Sequence, residues 1–134
     1  MLIPGVTAFL GFQLVAVFNN AFSQKLTRDE QMLHIGAMFV TLVALLLLLT
    51  PAAYHRQAES GWVSQGFVNL SSRLITGATP LFALGMTLDF YLLVRAVSEN
   101  TALAVALAVL ILAVTVVLWY GVPRVKPLAR ILRD

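Results

Sequence analysis

The chain has 134 residues, 60% of them hydrophobic and 11% charged, with a formal net charge of +3 and no cysteine. A soluble domain carries roughly 25% charged residues, so this balance excludes an ordinary water-soluble globule and points to apolar surface that faces lipid. Disulfides and thiolate-held zinc or iron–sulfur centres are excluded with the cysteines.

Crossing a hydrocarbon core of about 30 Å takes about 20 apolar residues in a helix. Four stretches meet that length, at residues 2–22, 33–50, 74–94 and 102–122. The apolar runs are continuous rather than alternating, which favours helices over a barrel. The expected fold is therefore all-α: a polytopic membrane protein in which residues 1–134 form one four-helix transmembrane domain.

In the first stretch Pro4 suits an opening turn, where its missing N–H would be unpaired anyway. Gln13 and Asn20 are seven apart and share a face with Ala16 and Val17, the face expected to point at other helices. Ala21 and Ser23 resemble a signal-peptide cleavage site, but no basic segment precedes them and the apolar run is too long, so a retained helix is expected. Its abrupt start suggests a short cytoplasmic stretch before residue 1. Thr27 and Glu30 then have capping-box spacing for the second helix, with Asp29 and Glu30 placed favourably for its dipole.

The second stretch meets Pro51, which cannot donate to the carbonyl of Leu47 and so bends or ends the helix. Tyr54, His55 and Arg56 follow as a boundary or partner-docking motif. Val63, Phe67 and Leu70, spaced i, i+4 and i+7 beside Trp62, predict a short interfacial helix between the second and third spans. The third stretch contains Pro80, which leaves the carbonyl of Thr76 in need of another partner. The fourth has small residues at Ala102 and Ala106 and at Ala104 and Ala108, a spacing that lets helices approach closely.

Orientation follows the Lys and Arg count. Lys25, Arg28 and Arg95 lie in the first and third connections; Arg56, Arg73, Arg124, Lys126, Arg130 and Arg133 lie in the second connection and the tail. Both chain ends and the middle loop are thus expected in the cytoplasm. Trp62, Arg124, Lys126, Arg130 and Arg133 are the expected anchors to the bilayer and its anionic headgroups. The basic residues sit at membrane edges without aromatic interleaving, so nucleic acid is not an expected partner.

Asp89 is the carboxylate deepest within a span, about 9 Å below the outer end at Arg95. Ala78, Phe82, Gly85 and Asp89 fall on one stripe, where Gly85 would admit a neighbouring helix. Asn20 and His34 lie at similar depth, so Asn20, His34 and Asp89 form a candidate proton or cation site, or else a polar clasp between helices. His34 and His55 stand roughly 30 Å apart on one helix and cannot share a metal. With neither a metal site nor a cofactor motif, and no nucleophile–base set at one depth, enzyme activity is not expected.

The segments PGV at 4–6, GFQLVAVF at 11–18, TPAAYHR at 50–56 and LGMTLDFY at 84–91 make the chain resemble an uncharacterised family of small four-helix bacterial inner-membrane proteins, marked by PAAYHR after helix two. The resemblance implies a location in the bacterial plasma membrane and a stretch preceding the first helix. Similar proteins are sometimes described as sodium:proton antiporters, which implies ion exchange. The expected function is association, as a homo-oligomer or as an accessory subunit of a larger membrane complex. The alternative is a small proton- or cation-coupled carrier with Asp89 as its titrating group.

Overall fold

A computed structural model describes residues 2–58 and 61–124. These residues fold into helices α1 (Leu2–Val17), α2 (Asn20–Lys25), α3 (Arg28–Ala58), α4 (Gln65–Ser98) and α5 (Thr101–Val116). A π-helical turn, Val117–Gly121, and a 3-10 turn, Val122–Arg124, complete the last rod. No strand occurs among the described residues. Among the described residues three helices are long and apolar enough to cross a membrane, Arg28–Ala58, Gln65–Ser98 and Thr101–Arg124, and α1 is a shorter apolar helix.

The first helix is not continuous over residues 2–22. Asn19 adopts an extended backbone and its side-chain oxygen accepts from the N–H of Ala21 at 2.9 Å, capping a new short helix. Asparagine bonds nearby backbone in this way because its short amide competes with the helical ladder. The capping box at the next boundary forms: Thr27 N donates to Glu30 Oε2 at 2.8 Å, and Glu30 N to Thr27 Oγ1 at 3.3 Å.

Neither internal proline ends its helix. Beyond Pro51, α3 runs on to Ala58, and the Thr50 hydroxyl donates to the Leu46 carbonyl at 2.8 Å beside the gap. At Pro80 the compensation is direct: Thr79 Oγ1 donates to Thr76 O, the carbonyl that proline leaves without its usual donor, at 3.0 Å. Side-chain hydroxyls can re-satisfy backbone in this way in apolar surroundings. The Thr79 proton being engaged, the Tyr120 hydroxyl donates to Thr79 Oγ1 at 3.2 Å and ties the π turn to α4. Thr79→Val is expected to lower stability by about 1 kcal/mol, with Thr79→Ser restoring it, as read by thermal unfolding in detergent.

The separate interfacial helix is also corrected. Ser64 caps α4 by accepting from Phe67 N at 3.0 Å, and the helix runs unbroken from Gln65 to Ser98. Thirty-four residues span about 51 Å, more than a hydrocarbon core, so Phe67 and Leu70 lie in the first turns of α4 itself. Trp62 stands in the connection before them, 61% exposed.

Helices α3 and α4 form the central antiparallel pair. Tyr54 and His55 near the end of α3 contact Phe67 near the start of α4, while Glu30 and Arg95 join the opposite ends at 3.1 Å. Helix α1 packs on α3, and α5 packs on α4. Val6, Ala44, Leu48 and Ala78 form a buried core among α1, α3 and α4. Of the small residues in α5, Ala104 and Ala108 are buried within the chain and Ala102 and Ala106 are exposed.

Candidate proton site between three helices

Three polar side chains from three helices meet above that apolar core. His34 on α3 is buried and Asp89 on α4 is largely covered; Gln13 on α1 is 3% exposed. His34 Nδ1 lies 2.8 Å from Asp89 Oδ1, and its Nε2 lies 3.0 Å from the backbone carbonyl of Gln13. Gln13 Nε2 donates to Asp89 Oδ2 at 2.6 Å and reaches Thr41 Oγ1 at 3.4 Å. Phe22 covers the imidazole edge-on, with ring centroids 5.1 Å apart.

The close approach of α3 and α4 depends on Gly85, one turn before Asp89. A Cβ there would collide with Thr41 Oγ1 and stand 3.1 Å from the carbonyl of Ala37. The sequence expectation that Gly85 admits a neighbour is met by α3, whose Thr41 hydroxyl donates back to Ala37 O at 2.9 Å.

Hydrogen counting gives the site its chemistry. A backbone carbonyl only accepts, so His34 Nε2 must carry a hydrogen to bond Gln13 O. The Nδ1–Oδ1 contact then needs one more proton, held either by the imidazole, facing a carboxylate, or by the carboxyl, facing a neutral ring. In both arrangements the pair carries one exchangeable proton and no net charge. Removing it leaves one imidazole hydrogen for two acceptors, so either the bond to α1 or the bond to α4 must fail.

The site differs from the sequence expectation in one member. His34 and Asp89 are brought together; Asn20 is not. The break at Asn19 shifts the register, leaving Asn20 exposed with its carbonyl accepting from Ser23 Oγ at 3.2 Å. Gln13 takes its place. The signal was present, since Gln13 is the mid-span polar residue of the first apolar stretch, but depth alone had favoured Asn20.

The site opens into a cavity of about 740 Å³ walled by apolar side chains, among them Phe9, Phe12, Phe22 and Phe90. Lys25 lines the same cavity and pairs with Glu99. The Lys25 ammonium beside it holds the Glu99 carboxyl below its ordinary range. Glu99 is the left-handed cap of α4, at φ 52°, so this ion pair joins the end of α2 to the end of α4.

Tyr54 stacks on Phe67 with ring centroids 6.1 Å apart, and the His55 ring lies 5.2 Å from the same phenyl. His55 Nδ1 and Ser71 Oγ are each buried without a hydrogen-bond partner among the described residues. Pro51 lies within α3. Arg56 is exposed, and exposed Arg124 donates to the carbonyl of Tyr120 at 2.5 Å. Lys126, Arg130 and Arg133 lie outside the described residues. His55→Ala is expected to reduce folded yield, and Phe67→Ala to reduce it further because it removes both ring contacts, each about 1 kcal/mol. Yield of monodisperse protein is the measurement.

No group of three or more His, Asp or Glu side chains suited to a metal occurs among the described residues. Residues 1–123 match the model of a family described as a family of unknown function, DUF6328. No curated protein and no solved structure matches the chain.

Proposed function

We propose that this chain, which belongs to that family of unknown function, is a proton-coupled carrier of a bacterial plasma membrane, with the proton held between His34 and Asp89. The observation that carries the reading is the bond from His34 Nε2 to Gln13 O together with the bond from Nδ1 to Asp89. It makes one proton a condition for keeping both His34 bonds at once, one of which joins α3 to α1 and the other α3 to α4. Proton occupancy is thereby coupled to the position of α1, which is the minimum a carrier requires.

The bundle crosses the membrane four times in this reading, with α1 as the shortest span and both chain ends cytoplasmic. Asp89 then lies toward the outer face, as intramembrane acids on ion pathways do when they line a cavity instead of facing lipid. The apolar core at Val6, Ala44, Leu48 and Ala78 lies on the inner side of the site, so a path across the membrane takes a movement of α1 or a second copy of the chain.

Association enters as a property of the carrier, a homo-oligomer that encloses the path. The stripe that motivated it is half engaged within the chain, because Ala104 and Ala108 pack internally, and Ala102 and Ala106 are left for a second copy. An accessory role in a larger complex has no separate observation in its favour. Proteoliposomes under an imposed pH gradient test the carrier: wild-type protein is expected to dissipate the gradient faster than empty vesicles, and Asp89→Asn protein is not. Equal rates for the two proteins would sink the proposal.

A further inference from the structure

The cavity above the His34–Asp89 pair carries a chemical signature of its own. Its walls are aromatic and aliphatic, and its volume of about 740 Å³ falls in the range of pockets that hold drug-sized organic molecules, roughly 300–1,000 Å³. A bare metal cation needs several oxygen ligands and no such volume.

The polar groups at its base are unevenly satisfied. Every donor of the His34, Asp89 and Gln13 set is engaged: Gln13 Nε2 with Asp89 and Thr41, His34 Nε2 with Gln13 O, and His34 Nδ1 in the shared proton bond. The unmet capacity is an acceptor. Gln13 is 3% exposed, it lines the cavity, and its Oε1 is buried without a hydrogen-bond partner among the described residues. A buried amide oxygen left unpaired costs free energy. A ligand completing this site must therefore donate hydrogen bonds, which disfavours carbonyl compounds such as quinones and favours an N–H cation.

Resting on the carrier reading, we infer that the site takes a lipophilic ammonium ion in exchange for its proton: the N⁺–H group bonds Asp89 and Gln13 Oε1, and the apolar body lies among the phenyl rings. Cations are attracted to such ring faces. Charge balances in the exchange. The proton-loaded pair is neutral; after the proton leaves, anionic Asp89 and the ammonium ion again sum to zero, with neutral His34 beside them. Proton loss also breaks one of the two His34 bonds; when the bond to Gln13 O is the one lost, α1 is held through the Gln13 side chain alone, which can then turn its oxygen to the ligand as the ammonium takes its place on Asp89.

The other charged groups near the site are accounted for. Helix α1 has no ionisable side chain. Lys25 at the end of α2 is paired with Glu99, and Glu30 on α3 with Arg95 on α4; exposed Asp29 does not line the cavity, and among the described residues that do, Asp89 is the acid.

Two probes test this with purified full-length protein in nanodiscs: dibenzylammonium, and dibenzyldimethylammonium, which has the same rings and charge but no N–H. Calorimetry in two buffers of different ionisation enthalpy counts protons released. Dibenzylammonium is expected to bind wild-type protein with release of one proton, and about tenfold more tightly per unit rise in pH until the pair itself has titrated. The quaternary probe is expected to bind at least ~tenfold more weakly, a comparison that needs no variant, and Asp89→Asn to lose both the affinity and the proton release. Equal affinity for the two probes, binding without proton release, or no binding beyond partition into empty nanodiscs would each overturn the inference. If any of these occurs while Asp89→Asn still abolishes proton flux, the carrier reading stands and the ammonium substrate does not.

Discussion

Asp89→Asn is expected to leave the protein folded and to remove the proton-linked flux proposed for it, whereas Asp89→Leu is expected to lower stability by about 3–5 kcal/mol. The two substitutions separate the clasp from the chemistry. An asparagine oxygen still accepts from Gln13 Nε2 and its amide N–H can donate to the bare His34 Nδ1, so most of the contact between α1, α3 and α4 survives. It has no carboxylate to share a proton, so the exchangeable charge is gone. Leucine removes the acceptor altogether and leaves His34, which is 6% exposed at its side chain, and the Gln13 amide buried without their partner. Unfolding in detergent and flux in vesicles, measured on the same preparations, check the pair. A normal flux in Asp89→Asn protein would assign the carboxylate a purely structural role.

Gly85→Ala is expected to cost about 1–3 kcal/mol by overpacking, a large effect for one methyl group. The added carbon would meet both the Thr41 hydroxyl and the Ala37 carbonyl, and the second of these is backbone that cannot rotate away. Relief requires α3 and α4 to separate, and that displacement acts within one turn of Asp89. His34 and Asp89 are joined at 2.8 Å, so a shift of a few tenths of an ångström already weakens their shared bond. Proton flux should fall along with stability. Thr41→Ala in the Gly85→Ala background removes one of the two clashing groups and is expected to recover part of the loss, a non-additive result that independent sites would not give. Full additivity would mean that the close approach at Gly85 is unimportant.

The long apolar runs made the helices legible from composition, because twenty consecutive apolar residues have few other physical outcomes. His34 and Asp89 were legible as partners for a related reason: polar groups at equal depth in lipid must find each other. The register was harder. Asn19 breaks the first helix through a bond between its own side chain and the N–H of Ala21, a local competition that hydropathy does not see, and the break exchanges Asn20 for Gln13 in the site. Pro51 misled in the opposite direction, since α3 continues to Ala58, while the partner that Pro80 demands for Thr76 is present. Proline is a breaker in water, yet the Thr79 hydroxyl supplies the missing donor to Thr76, and apolar surroundings make that replacement worth keeping. The same Thr79–Tyr120 contact, and the ion pairs Lys25–Glu99 and Glu30–Arg95, join residues far apart in the chain, and no spacing rule along one helix could have paired them.

The claim that one exchangeable proton is held between His34 and Asp89 is tested most directly by nitrogen NMR of His34, with His55→Gln to leave a single histidine. Below the transition Nε2 is expected to carry a hydrogen and Nδ1 to share one with the carboxylate; raising the pH should remove one proton in a single step felt at both nitrogens, and Asp89→Asn should alter or abolish this step. Nitrogen signals of His34 that do not move at any pH at which the protein stays folded, with and without Asp89, would contradict the claim.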